Sequence, residues 1–247
     1  MSLGGPSFTP GIHLFLIVVA TAFIWLGSGW LEESAEHLSA YYGLPPVVQG
    51  SVVVAIGSSF PELASVVVTA LAGTFSMGVG AIVGSAIFNI LVIPSVSGLT
   101  SDGNLQTNRT VVYKEAQFYM LAVAVLVITF SLAVIYIPDP SGTALTGRLT
   151  RPLALIPLLL YGLYLFIQWQ DVSDHIAPDA PAGIAVRREW LRLGVGLLVI
   201  LIAVEQLVGS VESLGQTFGV PEFLAGVTII AAATSLAAGT NHCDRHE

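Results

Sequence analysis

Charge and sulfur are what this sequence has least of. Only 10% of its 247 residues are Asp, Glu, Lys or Arg, against about a quarter in soluble domains, so an ordinary soluble enzyme is excluded. Basic residues are the scarcer kind: eight Lys and Arg stand against sixteen Asp and Glu, a net charge of -8. Without a basic stripe nothing neutralises a phosphate backbone, and nucleic acid is excluded as a partner. Cysteine occurs once, at Cys243, so neither a disulfide framework nor a cysteine metal cage can be assembled.

Apolar residues fill the space instead, 54% of the chain, and mean hydropathy is +0.83. Crossing a bilayer core takes about 20 mostly apolar helical residues. Seven such runs recur, at 12–30, 47–71, 78–99, 117–137, 152–169, 193–208 and 223–239. The first has no positive charge before it and is followed by six more, so it reads as a permanent helix and not as a secretory signal. Short turn-rich stretches at 100–108 and 138–150 separate spans and leave no room for a soluble domain. The fold class is therefore an all-α polytopic membrane protein of about seven transmembrane helices, with the lipid bilayer as its first partner. Trp25, Trp30, Trp169 and Trp190 fall near span ends, where aromatic belts belong. Arg109, Lys114, Arg187, Arg188 and Arg192 follow odd-numbered spans, while Arg148 and Arg151 lie on the opposite side. The positive-inside rule then puts the N-terminus outside, with the plasma (inner) membrane as the expected location.

Sliding the chain by 176 positions aligns 31–59 with 207–235 without a gap, and nine of the 29 pairs are identical. The matches include Ser34 with Ser210, Glu36 with Glu212, Gly43 with Gly219, Pro45 with Pro221, Gly50 with Gly226 and Ser59 with Ser235. Five spans separate the copies, and an odd number sends equivalent helices through the membrane in opposite directions. Inverted repeats of this kind build transporters whose site lies near the midplane, where broken helices from both halves meet.

The second span carries Gly57-Ser58-Ser59-Phe60-Pro61-Glu62-Leu63, placing an acid inside an otherwise uncharged run. A carboxylate at a helix centre costs about 2.5–3.5 kcal/mol on insertion scales and calls for a cation, a proton or a water-filled cavity. A protonated structural Glu, hydrogen-bonded inside the bundle, is the other reading. Pro61 has no N–H for the carbonyl of Gly57, so that oxygen is left for another partner, such as a bound cation. Ser58 precedes Glu62 by one turn. In the third span Gly80 and Gly84 form a face that admits close backbone approach. Ser85 and Asn89, four apart, add two uncharged oxygens near where a helix carrying Glu62 could pack. Oxygen donors of these kinds suit hard cations such as Na⁺ and Ca²⁺. Glu32, Glu33, Glu36 and His37 read as a solvated end of the first helix, and Glu205 as an acid near the end of the sixth span.

At these residues the sequence resembles the cation/calcium antiporters, which include the sodium/calcium exchangers. GSSFPELAS followed by GVGAIVGSAIFNIL on the next span is similar to that family's first signature repeat. Ala81 and Ala86, where many prokaryotic members carry Asn, make it more similar to the potassium-dependent branch. The resemblance implies ten helices in two inverted halves of five, exchanging Na⁺ inward for Ca²⁺ outward, with K⁺ as a third candidate ion and no cofactor. It also implies the ligand set: Glu62 as the shared carboxylate, Ser58 and Ser59 beside it, the Ala55 backbone carbonyl, Ser85 and Asn89. Ala231, Thr234 and Ser235 match Ala55, Ser58 and Ser59 from the second repeat. Residues 1–175 would be the first half, 176–238 the start of the second and 239–247 an atypical polar tail.

The resemblance stops where the family continues Thr-Ser-Leu-Pro and an acid, because this chain has Ala237 and Ala238. A second carboxylate and a mirror of Ser85 and Asn89 are missing. Ca²⁺ wants six to eight oxygens, and one carboxylate leaves a positive charge uncompensated. The expectation is an exchanger design that is truncated and inactive in this chain. A metal site in the tail, from His242, Cys243, Asp244 and His246, is the weaker reading of that segment. Two alternatives from other classes stay open: an intramembrane hydrolase with Ser58 or Ser59 as nucleophile, and a non-transporting membrane scaffold. The hydrolase needs a base, and every histidine lies in a loop or at a span end.

Overall fold

The computed structural model describes residues 10–44, 55–100, 109–139, 146–172 and 185–235. The start of the second span, most of the two turn-rich stretches, Ala237, Ala238 and the polar tail lie outside these residues. The chain divides into two compact units, residues 1–102 with 176–247, and residues 103–175.

The first unit contains α1 (Pro10–Tyr41), α2 (Ala55–Ser58), α3 (Phe60–Ala72), α4 (Phe75–Ile87) with a π-turn at Phe88–Val92, and α5 (Ile93–Thr100). The second unit holds α6 (Arg109–Tyr136) and α7 (Arg151–Val172). Back in the first unit, α8 (Val186–Phe218) is followed by α9, an apolar helix over Glu222–Ser235 that includes a π-turn at Gly226–Ile230. Among the described residues the elements are helical, apart from one isolated bridge between Pro138 and Gly147. Four helices are long and apolar enough to cross a membrane, and three shorter apolar helices accompany them. Together they fall on the seven predicted runs. Within the second unit Pro138, just after α6, pairs with Gly147, just before α7, and Phe118 near the start of α6 meets Tyr164 toward the end of α7 edge-on at 5.2 Å, so the two helices run antiparallel.

Two boundaries differ from the sequence reading, for a shared reason. Helix α1 continues through Glu32, Glu33, Glu36 and His37, and α8 begins at Val186 and runs to Phe218. The charges that close a hydropathy window are held by partners across the helix pair. Arg192 grips Glu33 through both guanidinium nitrogens at 2.7 and 2.6 Å, and His37 Nδ1 lies 3.4 Å from Glu189. Glu32 is not a solvated end residue at all: it is 1% exposed. Glu205 is likewise not near a helix end but in the body of α8, on its exposed side.

These pairs also orient the repeat. The C-terminal end of α1 meets the N-terminal end of α8, so the two equivalent helices are antiparallel. Nearer their middles Gly27 and Gly196 let the backbones touch; a methyl on Gly196 would sit 2.9 Å from the Gly27 carbonyl oxygen. Adding 176 to the ten buried positions of α1 lands on nine of the ten buried positions of α8, from Ala20 on Gly196 through Ile24 on Ile200 to Leu38 on Leu214; Ser39 and Glu189 are the exceptions. The repeat therefore extends through the first helix, where sequence identity had faded. The same face stayed buried while the residues on it changed.

Candidate functional site: a carboxylate between two repeats

Pro61 explains the local geometry. It cannot donate to the carbonyl four residues back, and α2 ends at Ser58 while α3 begins at Phe60 with the proline in its first turn. The break at Ser59 leaves Glu62 in the first turn of a helix, where unpaired N–H groups and the helix dipole favour negative charge. Ser65, a residue the sequence reading passed over, donates to the Glu62 carbonyl at 2.8 Å and fixes that turn. Its only sequence signal is a serine three places after the acid.

Glycine then brings the second repeat alongside. Methyl groups at Gly80 and Gly84 would overlap the carbonyls of Phe223 and Val227, and one at Gly226 would overlap the carbonyl of Met77. Helices α4 and α9 consequently run in backbone contact and in the same direction. The partner of the Gly80–Gly84 face is thus α9, from the other repeat. This contact carries Ser235, which is fully buried, to Ser85.

At that meeting point Ser85 Oγ donates to Glu62 Oε1 at 3.0 Å, Ser235 Oγ lies 2.8 Å from Ser85 Oγ, and Ser235 Oγ donates to the same Oε1 at 3.4 Å. One carboxylate oxygen is therefore held by hydroxyls from both repeats. The other, Oε2, is buried and has no hydrogen-bond partner. Buried polar oxygens are paired in nearly all folded proteins, so an orphan of this kind marks a place for a ligand, ion or water.

The remaining expected ligands are distributed unevenly. Ala231 is fully buried, and its Cβ lies where a methyl on Gly84 would go. Thr234 is buried beside it, but its hydroxyl turns back to the carbonyls of Ile230 and Ala231 at 3.1 and 3.3 Å. Ser58 is half-buried at the end of α2 and Ser59 is exposed at the break. Ala55 belongs to the α2 backbone. Asn89 is not brought to the group: it lies in the π-turn and is exposed. A wide turn accommodates an extra residue, so a position four after Ser85 no longer repeats its direction. A cavity of about 380 Å³ opens elsewhere, at the turn from α8 to α9, lined by Glu212, Gln216, Glu222 and Met77.

The model of the family described as "Sodium/calcium exchanger protein" matches residues 12–170 and 189–237. The chain belongs to the sodium/calcium exchanger family. This is a family of exchangers and not of enzymes, which removes the hydrolase reading of Ser58 and Ser59. Relatives include CaxA of Alkalimonas amylolytica, 28% identical over 89% of this chain and 69% of that one. Another is the inner membrane protein YrbG of Escherichia coli K12, 26% identical over 90% of this chain and 66% of that one. The chain thus spans about two thirds of the length of these two bacterial relatives. Its fold is that of the solved sodium-calcium exchanger NCX_Mj, with a TM-score of 0.59 at 18% identity, covering 96% of this chain and 74% of that structure. As a member of this family the chain is an integral membrane protein.

Proposed function

We propose that this chain carries the Na⁺/Ca²⁺ antiport site of its family, centred on Glu62, with Ser85 and Ser235 as the hydroxyls that position it. The observation that carries the reading is the split of one carboxylate: Oε1 held by serines from both repeats, Oε2 buried without a partner. Na⁺ and Ca²⁺ then compete for the same oxygen, and competition at a site reached alternately from two sides is what couples their movements. Membership in a family of exchangers, and the fold shared with NCX_Mj, support the same reading.

Charge decides which ion this chain holds better. One carboxylate neutralises Na⁺ and leaves Ca²⁺ with a net positive charge in a low-dielectric setting. Ala237 and Ala238 stand where the family signature has proline and an acid. We therefore expect Ca²⁺ to bind weakly and exchange by this chain alone to be inactive, while Na⁺ binds. In purified full chain, Glu62→Gln abolishes binding of radiolabelled Na⁺ at this site. Undiminished Na⁺ binding in Glu62→Gln removes the proposal. In the converse experiment Ala238→Glu, with Ala237→Pro, restores the signature's second acid and raises Ca²⁺ affinity at least about tenfold.

A further inference from the structure

Helix α8 carries a polar pair that the ion site does not use. Glu205 stands thirteen residues after Arg192 and seven before Glu212, about 20 Å and 10 Å along the helix at 1.5 Å per residue. The stretch between those two charges matches a hydrocarbon core of about 30 Å, and Glu205 lies inside it. Its side chain is exposed, as is that of Gln206 beside it, and neither has a hydrogen-bond or ion-pair partner among the described residues. In line with Glu205 at helical spacing are Leu198 and Ile202, both more than half exposed, and Gly209, where a methyl would meet nothing within 4 Å. The acid thus interrupts an apolar face.

The inverted repeat shows that the fold does not need it there. Subtracting 176 puts Glu205 on Gly29 and Gln206 on Trp30 of α1, neither of them an acid or an amide, although the buried faces of the two helices correspond. A carboxylate turned toward lipid is costly, and acids in membrane helices almost always face protein or water, or pair with one another. This face is complementary to itself: Glu205 brings acceptor oxygens and Gln206 brings two N–H donors. When two parallel helices pack about a two-fold axis, a side chain at the seam meets its own counterpart and the residue that follows it in the neighbour. Each copy's Gln206 then donates to the other's Glu205, and Gly209, one turn further on, lets the backbones close. Two copies of one chain enter the bilayer in the same direction, as a two-fold axis along the membrane normal requires. We propose that the face of α8 from Leu198 to Gly209 is the interface between two copies of this chain, closed by reciprocal Gln206–Glu205 hydrogen bonds.

Disulfide trapping of the full chain in native membranes tests this, because a bridge forms only where two Cα atoms come within about 7 Å. In a Cys243→Ser background, Gly209→Cys should give a species of twice the chain's mass under mild oxidation. Ile82→Cys, on the exposed side of α4, should stay monomeric. Adding Glu205→Leu to Gly209→Cys should cut the crosslinked fraction at least about fivefold, and Glu205→Gln, which keeps an acceptor for Gln206, should cut it less. Glu205 makes no polar contact within its own chain, so Glu205→Leu should melt no lower than the parent, which separates a lost interface from a lost fold. No dimer from Gly209→Cys, as much dimer from Ile82→Cys, or a dimer that Glu205→Leu leaves undiminished overturns the proposal. So does a Gly209→Cys chain that is joined to a different protein in place of a second copy.

Discussion

At the scale of single residues, the site is a question of which oxygen has a partner. Glu62 Oε1 accepts from Ser85 and Ser235, and Oε2 is left over. The serines hold the Glu62 carboxyl by one oxygen, which on the proposed function leaves the other prepared for an ion. Removing either hydroxyl costs about 1–1.5 kcal/mol, the upper part of the net range of an ordinary protein hydrogen bond. Ser85→Ala and Ser235→Ala should therefore each weaken Na⁺ binding about five- to tenfold in equilibrium titrations. Unchanged affinity in both would mean that the serines do not orient the acid. The acid and Ser85 were legible in the sequence, because a lone carboxylate inside a greasy run is too costly to stand there without a partner. Glu32 was not. Its neighbours in sequence are charged, and only the packing of α1 against α2 and α8 shows which of the acids at 32, 33 and 36 turns inward.

Elements impose two further conditions, a break and a close approach. Pro61 divides the second span at Ser59 and puts Glu62 at a helix start. Pro61→Ala lets α2 and α3 join, regaining part of the roughly 3 kcal/mol that an interior proline removes from a helix. The variant should melt higher than the parent in detergent and bind Na⁺ at least about tenfold more weakly, as the Gly57 carbonyl recovers a donor. A lower melting temperature with intact binding would contradict this. The close approach is set by Gly80, Gly84 and Gly226, whose missing methyls let α4 and α9 touch along their backbones. Gly84→Val drives a side chain into the Val227 carbonyl and Ala231, so it should separate Ser85 from Ser235 and lose the folded species in size-exclusion chromatography. The small-residue face could be seen in the sequence. Its partner could not, since helix pairing depends on contacts about 150 positions apart along the chain, as between Ser85 and Ser235. The π-turn that turns Asn89 outward left no sequence signal either, for no proline or insertion marks it.

For the whole molecule, the inverted repeat is the organising fact. Seven spans were legible because bilayer thickness sets a minimum apolar length that composition cannot hide. Their ends were less so: α1 and α8, at 32 and 33 residues, reach about 48 Å at 1.5 Å per residue, well past a hydrocarbon core of about 30 Å. The overhanging turns carry charge, and hydropathy reads charge as a boundary even where Arg192 and Glu33 bind each other. Antiparallel pairing fixes the relative direction of the repeats, and the arginine distribution implies their absolute direction. In a Cys243→Ser background, Arg148→Cys should react with a membrane-impermeant maleimide on intact cells, and Arg187→Cys only after permeabilisation. The opposite pattern would invert the topology without disturbing the repeat.

The central claim is that Glu62 Oε2 waits for an ion at the seam between the repeats, and anomalous scattering tests it most directly. Crystals of the full chain soaked in Tl⁺, as a heavy stand-in for Na⁺, should give an anomalous peak within bonding distance of Glu62 Oε2, next to the Ser85–Ser235 pair, and excess Na⁺ should erase it. A Tl⁺-bound structure whose peaks all lie elsewhere, with Oε2 hydrogen-bonded to a protein donor, would contradict the account.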